Sequence, residues 1–157
     1  MGAKTGMQAK LYYKVGGVAA AQGDWVELTD IKDNTLNLEK GEADVTTRGN
    51  NGWKATVGTL KSGSVEFEMV WNPDDAGFSA ISDAFVGDSA IGLAILDGPK
   101  ETGTGLVADF SITKFSRNEK LEEAVTVSVT AKPTYSATAP VWMEAGTPSL
   151  DPAPQNP

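Results

Sequence analysis

Glu66 and Glu68 stand two residues apart in an alternating stretch, and Asp109 stands in a second such stretch. Paired carboxylates are the basic equipment of a glycosidase, one as general acid and the other as base or nucleophile. That chemistry also needs the two groups to face each other across a cleft with aromatic platforms nearby. In residues 64–71 the aromatic side chains Phe67 and Trp71 take the alternate positions, so they face away from the carboxylates. Gly103-Thr-Gly105-Leu-Val-Ala108 fits the loose dinucleotide pattern G-x-G-x-x-G/A. That pattern must follow a strand and open a helix. Here it opens an alternating stretch without a βαβ unit around it, and it reads as a glycine turn. Asp30 and Asp33 are close in sequence but lack the ligand spacing and closing Glu of a calcium loop. They read as a solvated turn. No residue is expected to be catalytic, the protein is not expected to be an enzyme, and no metal or cofactor is implied.

Composition narrows the chemistry further. The chain has 157 residues with 0 Cys and 0 His. Disulfides, thiol nucleophiles, imidazole metal sites and Ser-His-Asp triads are therefore excluded. The formal net charge is -8, against the basic patch a sequence-reading nucleic-acid binder needs. A mass of 16.4 kDa is one domain's worth of chain. Residues 1–10 lack the apolar core of a secretory signal, and the longest apolar run, Ala90 to Leu96, is too short to span a bilayer. No membrane anchor is expected.

The elements that would position these residues are mostly strands. Residues 64–71 place Val65, Phe67, Met69 and Trp71 on one face and Ser64, Glu66, Glu68 and Val70 on the other. Residues 106–115 alternate Leu106, Ala108, Phe110 and Ile112 with Val107, Asp109, Ser111 and Thr113. Residues 124–131 alternate Val125, Val127, Val129 and Ala131 with Ala124, Thr126, Ser128 and Thr130. A period of two with one apolar face predicts a half-buried antiparallel sheet. Weaker strand signals cover residues 10–15, 25–29, 35–38, 43–47, 56–60 and 90–96. A hairpin turn is expected around Gly41, and a tight turn at Lys61-Ser-Gly63. One helix is predicted over about 73–86, with Asn72 as cap, Pro73 at its first position, and Phe78, Ile81 and Phe85 as its apolar stripe. Gly87 is its expected stop. The fold class is thus mainly β, an antiparallel sandwich or barrel with one short flanking helix. Residues 1–9 read as an N-terminal arm, 10–132 as the β domain, and 133–157 as a Pro-rich extended arm.

The polar faces carry Glu66, Glu68, Asp109, Ser111, Thr113, Glu122, Thr126, Ser128 and Thr130, with Lys or Arg only at strand ends. They fit either the solvent face of a sandwich or a smooth acidic and hydroxyl surface that does not hold a polyanion.

Four segments in order resemble the major tail tube proteins of long-tailed, siphophage-like bacteriophages. They are Asp33-Asn-Thr-Leu-Asn-Leu-Glu-Lys-Gly-Glu-Ala-Asp-Val-Thr-Thr-Arg-Gly-Asn-Asn-Gly-Trp53, Ser64-Val-Glu-Phe-Glu-Met-Val-Trp71, Phe110-Ser-Ile-Thr-Lys-Phe-Ser-Arg-Asn118 and Leu121-Glu-Glu-Ala-Val-Thr-Val-Ser-Val-Thr-Ala-Lys-Pro-Thr-Tyr135. The resemblance implies a structural subunit that closes into hexameric rings with a continuous inner β-barrel. It implies stacking of the rings into a virion tail tube through which phage DNA passes without sequence specificity. It further implies tape-measure, tail-tip and tail-terminator partners and assembly in the bacterial host cytoplasm. On this reading Glu66, Glu68, Asp109, Ser111, Thr113, Glu122, Thr126 and Ser128 are lumen candidates. Arg48, Asn50, Asn51 and Trp53, at the end of a predicted hairpin arm, are candidates for contacts between rings, and Tyr135 and Trp142 for contacts between subunits. A tube protein of a contractile injection or type VI secretion system is an alternative, as is a monomeric β-sandwich binding module.

Overall fold

The computed structural model describes residues 5–19, 25–136 and 138–144. Parts of the two expected arms, residues 1–4 and 145–157, lie outside the described residues. In chain order the elements are β1 (Lys10–Val15), β2 (Val26–Glu27), β3 (Ile31–Asp44), β4 (Thr56–Val70), α1 (Ala76–Val86), β5 (Ile91–Leu96), β6 (Gly105–Asn118), β7 (Thr126–Pro133) and β8 (Val141–Met143). They form one antiparallel sheet in the order β2-β1-β5-β6-β7-β4-β3, with β8 added to β6. The expected mainly β architecture with one helix is what the chain adopts.

β6 belongs to both halves of this sheet. Its first residues, Gly105 to Phe110, pair with β5, and Phe110 to Asn118 pair with β7 on the other side. One half is therefore β2-β1-β5-β6 and the other is β6-β7-β4-β3. Their apolar faces meet in one core. Leu11, Leu93, Ala108 and Phe110 come from the first half, and Val65, Phe67, Met69, Val127 and Val129 from the second. Phe78, Ile81 and Ala84 of α1 complete it. The faces of β4 and β7 are those the period of two predicts. A second cluster joins Tyr12, Trp25, Ala94, Leu96, Val107 and Met143 on the back of β1, β5 and β6. This second cover is why β5 is buried at every position. At the crossing from β5 to β6 the strands are so close that a Cβ on Gly105 would lie 1.7 Å from the Ile95 carbonyl oxygen.

Three local expectations are corrected. The helix starts later than Pro73: the chain first makes a turn in which Asp75 N–H donates to Asn72 C=O. Asp75, not Asn72, is the cap, and its carboxylate accepts the Phe78 N–H at 3.0 Å. Gly87 follows the last helical residue, as expected. Gly41 does not turn the chain; it lies inside β3 at a register shift between Lys40 and Glu42. Residues 61–63 run straight through β4 in the same way. Both stretches belong to the outer parts of β3 and β4, which are largely exposed on their two faces. Such strands have no reason to alternate, so their polarity mimics a turn. The third difference is a bulge in β6 between Ile112 and Lys114, which reverses the facing of every later residue in that strand.

Candidate assembly interfaces

The polar face of the half-sheet β6-β7-β4-β3 is built from residues in register. One row runs Thr35, Glu66, Thr130 and Lys114 across the strands, and the next runs Glu68, Ser128 and Ser116. The bulge brings Lys114 onto this face and turns Phe115 inward, where its ring stacks on Phe85 at 5.8 Å. Thr113 is the extra residue, and its hydroxyl donates to Thr130 C=O at 3.2 Å. The face is therefore of mixed charge, not uniformly acidic. Sequence reading missed Lys114. The signal was Ile112 and Phe115, two apolar residues an odd number apart in one strand. Glu66 has Thr35 and Thr130 as its cross-strand neighbours and Glu68 has Ser128, none of them aromatic, and neither carboxylate lines the two cavities of the described residues that are large enough to hold a ligand.

Other lumen candidates are placed differently. Asp109 is 7 % exposed. Its carboxylate accepts the Val18 N–H at 2.6 Å and the Ser136 hydroxyl. The expectation that it contributes an open charge is corrected, because the Gly17–Val18 turn and the chain after β7 cover its side of β6. Thr126 is also buried. Glu122 is exposed, but in the loop between β6 and β7 and not on a strand face. Ser111, Thr113 and Ser128 remain on the open face as half-buried or exposed residues.

Among the described residues, this half-sheet has two strand edges that no other strand pairs. One is the outer edge of β3. The other is the side of β6 beyond Phe110, where β5 has already ended at Ile91. Beyond Val65, where the pairing with β7 ends, β3 and β4 continue as a two-stranded arm from the Leu38–Gly63 pair to the Asp44–Thr56 pair. At about 3.3 Å per residue the arm reaches roughly 20 Å past the sheet. Its tip is a short 3-10 turn over Arg48–Asn50, then Asn51 and Gly52 with φ of 52° and 85°. Trp53 follows and is 78 % exposed. Asn and Gly suit those left-handed positions. Tyr135 is 97 % exposed, whereas Trp142 is half-exposed within β8, a strand inside the expected C-terminal arm.

The sequence profile described as "Phage tail tube protein" matches residues 10–134. The chain belongs to the phage tail tube protein family. No curated protein matches it. Solved structures share the fold at low identity. The tail of an empty gene transfer agent particle, refined with C6 symmetry, aligns with a TM-score of 0.70 at 14% identity, covering 90% of this chain and 99% of that one. The SPP1 tail tube aligns at 0.66 and 17% identity, covering 83% and 75%. A chain of the anti-feeding prophage baseplate aligns at 0.57 and 7% identity, covering 90% and 97%. The tube subunit is thus a structural protein of a phage tail, and the resemblance read from its four segments holds.

Proposed function

We propose that six copies close side by side, the outer β3 edge of one pairing with the open β6 edge of the next, and that the rings stack into a DNA conduit. The observation that carries this reading is the pair of unpaired edges on one half-sheet. Neighbouring strands in the order β6-β7-β4-β3 are antiparallel throughout. An even number of alternating strands makes the junction of β3 with β6 antiparallel as well, so the pattern repeats around a ring without interruption. Closure also removes edges that would otherwise invite uncontrolled pairing. Six-fold symmetry is taken from the gene transfer agent tail, whose fold this chain shares.

In that ring the polar face turns inward and the apolar face stays in the subunit core. Glu66, Glu68, Ser111, Thr113 and Ser128 line the channel together with Lys114. Glu66 and Lys114 are two strands apart, about 10 Å, near the screening length of physiological salt. A passing phosphate therefore meets hydroxyls and alternating charge, with no basic stripe to hold it. The arm tip, with Arg48, Asn50, Asn51 and Trp53, contacts the adjacent ring, and Tyr135 and Trp142 contact neighbouring subunits. A tape-measure protein fills the lumen during assembly in the host cytoplasm, and tail-tip and terminator proteins close the ends. The contractile-injection alternative draws on the weaker likeness to the anti-feeding prophage chain. A monomeric binding module would leave both edges bare. Negative-stain microscopy with sedimentation of the purified protein tests the reading. Rings or tubes are expected; a protein that stays monomeric at high concentration and with its tail-tip complex would overturn it.

A further inference from the structure

Where β7 stops, the arm and β8 leave an open corner of about 710 Å³. Leu38 of the arm, Leu106 of β6, Trp142 of β8 and Pro140 give it an apolar lining. Lys40, Lys61 and Lys132 line it too, against the single carboxylate of Glu39. Lys40 and Lys61 are direct cross-strand partners, an arrangement that costs stability when nothing neutralises it. None of the three lysines forms an ion pair with a described residue. A site of this kind suits an apolar side chain flanked by carboxylates.

The chain carries such a segment at its other end. Leu121 is 100 % exposed, and Glu122 and Glu123 follow it. Glu123 reaches Lys120 at 3.6 Å, but both side chains are largely exposed, so the pair exchanges partners at little cost. The β6–β7 hairpin separates the two features. Leu106 and Pro133 are at the corner, and Asn118 and Thr126 are at the loop that holds Leu121. That is about 23 Å along β7 and about 40 Å along β6, so loop and corner stand apart at opposite ends of the sheet. A surface and its complement at opposite ends of one subunit generate an open head-to-tail series. Trp53 is a poorer occupant. The arm leaves the sheet from the corner's own end, and its tip carries Arg48 and Lys54, of the same sign as the lysines.

We propose that the Leu121-Glu122-Glu123 loop of one copy seats in the lysine-rimmed corner of a copy in the next ring. The contact gives the stack its polarity and weakens with added salt. It rests on the tube reading and specifies which surfaces meet between rings.

The chain has 0 Cys, so introduced cysteines report cleanly. Leu121→Cys combined with Ser62→Cys, a residue lining the corner, is assembled and treated with a short bismaleimide. The double variant should run as a ladder of covalent multimers, and each single variant at most as a dimer. In a second arm, Leu121→Ser and Lys61→Glu should each assemble about ten-fold more weakly, while the monomer melts no lower than the unaltered protein, Lys61→Glu even slightly higher because it faces Lys40. Lys61→Glu with Glu122→Lys should recover. Tubes in the micrographs without a ladder or charge rescue would overturn this contact and leave the tube reading standing. A ladder from Leu121→Cys with Trp53→Cys in place of Ser62→Cys would assign the loop to the arm tip instead. Absence of any ring or tube from the unaltered protein would overturn both.

Discussion

The Asp109 carboxylate accepts the Val18 N–H at 2.6 Å across a sequence separation of 91 residues. It also accepts the Ser136 hydroxyl, whose oxygen in turn accepts the Thr138 N–H at 3.0 Å. One side chain thus ties the turn after β1 and the chain after β7 to the middle of β6. The fit is close: Gly17 has φ of 99°, and a Cβ there would lie 2.7 Å from an Asp109 carboxylate oxygen. Asp109→Ala strands a buried donor, so it should cost about 1–3 kcal/mol in urea unfolding. Asp109→Asn keeps an acceptor and should cost less. Equal losses in the two variants would mean that the hydrogen bond to Val18 is not what matters.

Tyr13 provides a pH signature. Burial pushes its phenol above the ordinary value, and the Asp75 carboxylate adds to the shift. A group whose folded pKa is raised holds its stability below the unfolded pKa and loses it as pH rises through the folded one. The unfolded value is about 10, so the loss falls above pH 10. The melting temperature should decline there, and Tyr13→Phe should decline less steeply. Parallel curves for the two proteins would remove Tyr13 as the cause.

Trp53→Ala should separate assembly from folding. An indole this exposed contributes little to the monomer, so stability should change by no more than about 0.5 kcal/mol. If the tip meets an adjacent ring, polymer yield in sedimentation should drop, because an interfacial Trp is an anchor. Unchanged yield would take the arm tip out of the stacking contact.

Glu66→Lys with Glu68→Lys tests the channel face. Both residues lie on the open side of β4, so tails should still assemble. With Lys114 and Lys132 already on β6 and β7, the change makes the face basic, and DNA release measured on assembled tails should slow. Release at the normal rate would mean that this face does not meet DNA.

The sequence by itself determined which faces of β4 and β7 are apolar, that a single helix with Phe78 and Ile81 inward follows β4, and that the chain resembles tail tube proteins. These are local properties: a period of two or a stripe three to four residues apart is written in neighbouring positions. Only the tertiary structure decided the rest. Asp109 lies on a strand face that alternation marks as polar, yet Val18 and Ser136, far away in sequence, cover it. Lys114 faces the open side because a bulge shifts the register of β6 against β7. Gly41 and Gly63 lie within long strands because β3 and β4 support each other beyond the core, where neither face is buried. Glu66, Glu68 and Asp109 form no facing pair for the same reason. The fold separates them, two on an open sheet face and one locked beneath a turn, since pairing between distant strands, not spacing along the chain, sets which side chains share a surface.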